Sequence, residues 1–152
     1  VFEGLLRTLL AGRPANGLDG PEGLRLAVAA LLVMAAQADD HFEEPERAAI
    51  RQLLSERFGL APPAVDDLLA AAQQQAEEAA GLFPFVKAFV GNSRPEERVW
   101  LVEMLWEVAY ADGTLTPDED ALIRKVAGLV YVSDVERGAA RRRVEQRLTR
   151  RK

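Results

Sequence analysis

The sequence predicts an all-α fold, a compact bundle of about seven to eight helices, and three observations carry that expectation. Ala and Leu dominate the chain, and the strand-favouring residues rarely alternate with polar ones, so composition favours helix over sheet. Prolines stand where several helices would begin, at Pro21, Pro45, Pro62, Pro95 and Pro117. A segment of the first half also repeats in the second half at a fixed offset, each copy lying between two helical stretches.

At 152 residues and 49% hydrophobic content the chain has material for one buried core and is short for two, so a single domain is expected over residues 1–152. An opening helix is expected near residues 2–10, followed to about residue 20 by a Gly-rich linker, Gly12 to Gly20. Pro21 starts the next helix. Its Leu24, Leu26, Val28, Leu31, Leu32, Val33 and Met34 leave almost no polar face, so it belongs at the centre of the core.

The acids of Asp39-Asp40-His41-Phe42-Glu43-Glu44 interrupt that stretch, and a helix from about Pro45 to Phe58 stops before Gly59. Pro62-Pro63 opens another, whose Gln73-Gln74-Gln75 and Glu77-Glu78 turn one face to water. A short apolar helix follows at residues 82–89. The break at Gly91-Asn92-Ser93-Arg94-Pro95 then separates a first half, residues 21–90, from a second, residues 95–152.

Pro95 stands in the first turn of a second strongly apolar helix, where the charged Glu103 and Glu107 are four apart and so share a side. These two apolar helices, residues 24–38 and 99–111, are expected to be the most buried and to pack on one another. Thr116-Pro117-Asp118-Glu119 has the spacing of a capping box, with a hydroxyl at the N-cap and a glutamate three residues on, and Ser133-Asp134-Val135-Glu136 repeats it before the last helix. Phe83, Phe85, Phe89, Trp100, Trp106 and Tyr110 are expected in the core, a surplus at the surface marking a partner site.

Sliding the chain by 73 residues lays residues 38–46 over residues 111–119. Identities fall at Ala38/Ala111, Asp39/Asp112 and Glu46/Glu119, and continue at Ile50/Ile123 and Arg51/Arg124; Phe42 matches Leu115, and Phe58 matches Tyr131, in character. The chain thus reads as a duplicated helix-turn-helix unit, for which a bundle of approximate two-fold symmetry is the natural packing.

Two readings of the repeated loops stand side by side. Asp39, Asp40, Glu43, Glu44 and Glu46 crowd one loop, and Asp112, Asp118, Glu119 and Asp120 the other; such clusters repel unless solvated, dipole-stabilised or bridged by a cation. Divalent-cation ligands would be Asp39 with Glu46 and Asp112 with Glu119, with Asp40, His41 and Glu43 as supplementary donors, in one site or in two. Hard oxygen donors suit Mg²⁺, Ca²⁺ or Mn²⁺, and Zn²⁺ enters if His41, otherwise an exposed loop residue, supplies a nitrogen. In the plainer reading Glu46 and Glu119 close capping boxes, while Asp39 and Asp112 cap turns. A calcium hand is rejected, because Val108 and Tyr110 would occupy its early ligand positions and have no carboxylate to offer.

Other chemistry is excluded or unspecified. There is no cysteine for a disulfide, thiolate site or thiol nucleophile, and the lone histidine has no evident serine partner. A phosphate-cradling glycine loop and an organic cofactor motif are missing, so no enzyme is expected. The longest apolar run, residues 26–36, is too short to span a bilayer, and the start has no signal-peptide pattern; a cytoplasmic location is expected.

From Asp134 to Lys152 eight Arg and Lys stand against three acids, a net +5, which leaves −10 for the rest of a chain whose total is −5. The basic tail, Arg141-Arg142-Arg143, Arg147 and Arg150-Arg151-Lys152, reads first as a solvated face, second as a contact for an acidic partner or for the acidic loops. A protein partner is expected. Nucleic acid is not, because the acidic body repels phosphate; membrane contact would come only through a partner or the basic helix.

The pattern Ala111-Asp112-Gly113, a residue, Leu115, three residues, Glu119, between two helices of an all-helical chain, resembles the tellurite-resistance TerB family. The resemblance spans residues 24–144; the first copy departs from it in carrying Asp40 where Gly is usual. It implies an all-helical fold, metal binding through the acidic loop residues and a part in stress responses that include tellurite. The function expected is a non-enzymatic, divalent-cation-binding stress-response module; the alternative is a metal-free protein-interaction or regulatory domain.

Overall fold

The structure is a computed structural model that describes residues 18–38 and 42–151; the helix expected near residues 2–10 lies outside them. Seven helices and no strand occur among the described residues: α1 (Gly20–Ala36), α2 (Glu44–Phe58), α3 (Pro62–Glu78), α4 (Phe83–Asn92), α5 (Pro95–Ala109), α6 (Pro117–Leu129) and α7 (Asp134–Arg151). None is long and apolar enough to cross a membrane.

All six helices from α1 to α6 have proline at their first or second position, where its missing N–H costs no hydrogen bond. The all-round apolar sequence of α1 has the expected consequence. From Leu26 to Val33 every residue is buried, and α1 packs against α2, α3, α4, α5 and α6. The second hub is α5, which buries Leu101, Val102, Met104, Leu105, Trp106, Val108 and Ala109 and touches α1, α2, α6 and α7. The two apolar helices are therefore the centre of the bundle and lie on one another, as their sequences require.

The flanking helices carry narrower stripes. α3 buries Val65, Leu69 and Ala72, while α2 buries Glu46, Ile50 and Leu54 at intervals of four, and α6 buries Glu119, Ile123, Val126 and Ala127. Each of the last two stripes begins with a glutamate. Phe83 departs from the expected core set: it is 65% exposed, because it precedes the buried Phe85 by two residues and so points to the opposite side of α4.

At its start α1 passes very close to the chain before it. A Cβ added at Gly23 would collide with the backbone of Leu18, which cannot swing aside as a side chain can. Gly23→Ala is expected to destabilise by about 1–3 kcal/mol despite alanine's better helix propensity, checked by urea denaturation.

Both α2 and α6 end in a left-handed residue that lets a carbonyl of the last turn accept one more bond: Leu60 N–H donates to Ser55 O at 3.2 Å past Gly59 (φ +63), and Val132 N–H to Ala127 O at 2.9 Å past Tyr131 (φ +66). The likeness of Phe58 to Tyr131 is one of side-chain character and does not extend to the backbone. In backbone conformation Tyr131 corresponds to Gly59, one residue later in the first half, because the second helix reaches its cap one residue sooner after the shared Glu, Ile and Arg.

The basic helix α7 is not simply a solvated face. Arg143, Arg147 and Arg151 lie four apart and face Glu103 and Glu107 on α5: Arg147 reaches Glu103 at 2.7 Å and Glu107 at 3.1 Å, and Arg143 reaches Glu103 at 3.1 Å. Beside them Arg141 Nε donates to Tyr110 Oη at 2.8 Å, Tyr110 Oη donates to Glu145 at 2.7 Å, and the Arg141 guanidinium lies 5.1 Å from the Trp106 ring. The acidic side of α5 thus holds part of the tail's charge within the molecule.

Candidate metal site

The two buried charged side chains among the described residues are Glu46 and Glu119, each 2% exposed, at the positions the 73-residue offset superimposes. Their depth follows from placement. Both are third residues of their helices, on the stripe that continues as Ile50 and Leu54 in α2 and as Ile123 and Val126 in α6, so the face that buries those apolar side chains buries the carboxylates too.

The second loop is fully described. Gly113 (φ +87) N–H donates to Tyr110 O at 2.9 Å, and Thr114 N–H donates to Asp112 Oδ1 at 3.0 Å, which turns the chain out of α5 and fixes the exposed Asp112 beyond its end. The box expected at Thr116 is complete: Glu119 N–H donates to Thr116 Oγ1 at 3.1 Å, and Thr116 N–H donates to Glu119 Oε1 at 3.0 Å. The box at Ser133 is complete as well, with Glu136 N–H on Ser133 Oγ at 3.1 Å and Ser133 N–H on Glu136 Oε1 at 3.2 Å. Thr116→Ala is expected to lower stability by about 0.5–2 kcal/mol in chelator, read as a shift of the urea midpoint at unchanged slope.

In the first loop Glu43 N–H donates to Glu46 Oε1 at 3.4 Å, a longer contact than its counterpart. Glu46 Oε2 is sealed from solvent and has no hydrogen-bond partner among the described residues. Asp39, Asp40 and His41 lie outside the described residues. Glu43 is exposed at the N-cap of α2, Glu44 pairs with Arg51 at 3.4 Å, and Asp120 pairs with Arg124 at 3.2 Å, so the last two have partners of their own.

Electrostatics connects the loops. Burial pushes the Glu46 carboxyl above the ordinary glutamate range; the backbone N–H groups of Glu43 and Glu46 pull it back in part, and the charges of Asp112 and Glu43 push it up again. Asp112 follows α5, whereas Glu46 opens α2, so the fold brings the acidic loop of one half to bear on the buried acid of the other. Sequence pairing had put Asp112 with Glu119 and Asp39 with Glu46; the contact of α2 with α5 adds a pairing across the halves. Among the described residues no three acid, histidine or cysteine side chains come together closely enough to hold an ion.

What sequence reasoning missed is the depth of the two glutamates. The signal was present as a Glu four residues before an Ile on the apolar stripe, at Glu46/Ile50 and at Glu119/Ile123. No curated protein and no solved structure matches the chain. A family model described as tellurite resistance protein TerB matches residues 25–142.

Proposed function

The chain belongs to the tellurite resistance protein TerB family, and we propose that it is a non-enzymatic module that binds a divalent cation through its acidic loops, in a cytoplasmic stress response of the tellurite type. The observation that supports this most is Glu46, a buried carboxylate with one oxygen lacking any partner among the described residues, raised in pKa by burial and by the charge of Asp112. A buried anion facing a like charge is unfavourable without a counter-charge, and a cation between them would reverse the sign of their interaction.

On this reading Glu46 and Asp112 are ligands drawn from opposite halves, and Asp39 and Glu119 are the counterparts related by the repeat. Asp40, His41 and Glu43 are supplementary donors. One shared site then ties α2 to the end of α5, so binding stiffens the contact between halves. Carboxylates favour Mg²⁺, Ca²⁺ or Mn²⁺, and participation of His41 would shift preference towards Zn²⁺. No organic cofactor takes part.

The test is calorimetric titration of each of the four ions into chelator-treated protein, with thermal melting alongside. Saturable heat and a higher melting temperature with at least one ion are expected. If none of the four gives either, the carboxylates are helix caps and the domain acts without metal.

A further inference from the structure

Three of the four exposed large hydrophobic side chains among the described residues, Leu129, Tyr131 and Val135, fall within seven residues of chain at the corner between α6 and α7. Single exposed apolar side chains are ordinary on a protein surface, whereas a cluster marks a contact surface. Tyr131, 74% exposed, is also the one non-glycine residue at positive φ among the described residues. Its counterpart at the end of α2 is Gly59, the residue that such a cap favours. An exposed tyrosine held in a conformation better suited to glycine gives nothing to the core, and retained strain of this kind is characteristic of recognition surfaces.

A charge accompanies the cluster. The guanidinium of Arg98, on α5, lies 5.7 Å from the centre of the Tyr131 ring. Arg98 is half-buried, its Nε is closed off from water, and it makes no hydrogen bond or ion pair with any described residue. Eight other arginines, Arg47, Arg51, Arg94, Arg124, Arg137, Arg141, Arg143 and Arg147, have a side-chain acceptor. With Nε enclosed and no acceptor among the described residues, the guanidinium has only its remaining N–H groups to offer, and a carboxylate is the charge-matched acceptor for them. The complement of this surface is therefore an anion next to an apolar side chain.

We propose that the α6–α7 corner docks a linear segment of a partner protein in which an Asp or Glu adjoins a large apolar residue. The carboxylate pairs with Arg98, and the apolar residue covers Tyr131 and its neighbours Leu129 and Val135. The surface does not involve the acidic loops, so docking is independent of any bound cation.

A random twelve-residue peptide library, displayed on phage and panned in chelator against the full chain, tests this directly. Enriched peptides are then synthesised and titrated by fluorescence anisotropy against the parent chain, Arg98→Ala and Tyr131→Gly. Sequences with Asp or Glu beside Leu, Phe or Trp should be enriched, and their affinity should fall about tenfold or more in both variants. Tyr131→Gly should at the same time melt about 2–4 °C higher, which separates loss of binding from loss of folding. Enrichment of peptides lacking acids, undiminished affinity for Tyr131→Gly, or no enrichment over Arg98→Ala would overturn the proposal. So would concentration-dependent self-association abolished by Arg98→Ala, which would assign the corner to a second copy of this chain.

Discussion

Glu46→Gln combined with Asp112→Asn should remove the stabilisation that a divalent cation confers, while leaving the helical spectrum of the chain unchanged. For a ligand that binds the folded state alone, the increment is about 2.7 kcal/mol at a hundredfold excess over the dissociation constant, and the double variant should show none of it. In chelator the order should reverse. Because the folded state raises the Glu46 pKa, it holds a proton that the unfolded chain has already released over the window above the ordinary glutamate value. Native protein then binds more protons than unfolded protein, so stability falls as pH rises through that window and stays at the lower level beyond it. Glu46→Gln should flatten this decline and, at neutral pH without metal, be more stable than the parent, because the amide carries no charge to be buried beside Asp112. Urea denaturation across pH, with and without the ion, reads both effects. A variant that keeps the full metal increment, or that is less stable than the parent in chelator at neutral pH, would return Glu46 to a purely capping role.

Trp106→Ala should cost about 3–5 kcal/mol, the range for removing a buried aromatic side chain whose space cannot close. Trp106 is 1% exposed on the central helix α5, stacked on Tyr110 at 6.3 Å between ring centres, and it is the ring on which Arg141 of α7 rests. The loss therefore falls on the core and on the docking of the last helix together. Against a total stability of about 5–15 kcal/mol for a domain of ordinary size, this is enough to populate unfolded chains at moderate temperature. Arg141→Ala leaves the tryptophan in place and removes the ring contact together with the hydrogen bond to Tyr110 Oη, so it should cost less, about 1–2 kcal/mol. Thermal melts of the two variants give the comparison, and equal losses would mean that the tryptophan matters only as a seat for the arginine.

Features of the fold that depend on neighbours in sequence were legible beforehand. The capping boxes at Thr116 and Ser133, the stop at Gly59, the proline starts and the break between α4 and α5 are local. They depend on residues three or four apart whose geometry the helix itself supplies. The central positions of α1 and α5 were legible too, since a helix with no polar face has only the interior to go to. The candidate ligands were legible as residue types in a repeated spacing, and the family match over residues 25–142 rests on the same stretch of chain.

The sequence by itself determined which segments are helices, which of them lie at the centre and which acids stand beside the turns, because these follow from short-range sterics, capping and the burial of apolar faces. Only the tertiary structure decided that Asp112 acts on Glu46, that Arg143 and Arg147 meet Glu103 and Glu107, and that Tyr131 stands outward in a left-handed turn under Arg98. Apart from the backbone of Tyr131, each of these is a relation between elements far apart in the chain. Such relations are set by how the helices settle against one another, and that angle and register emerge from the whole core rather than from any one segment.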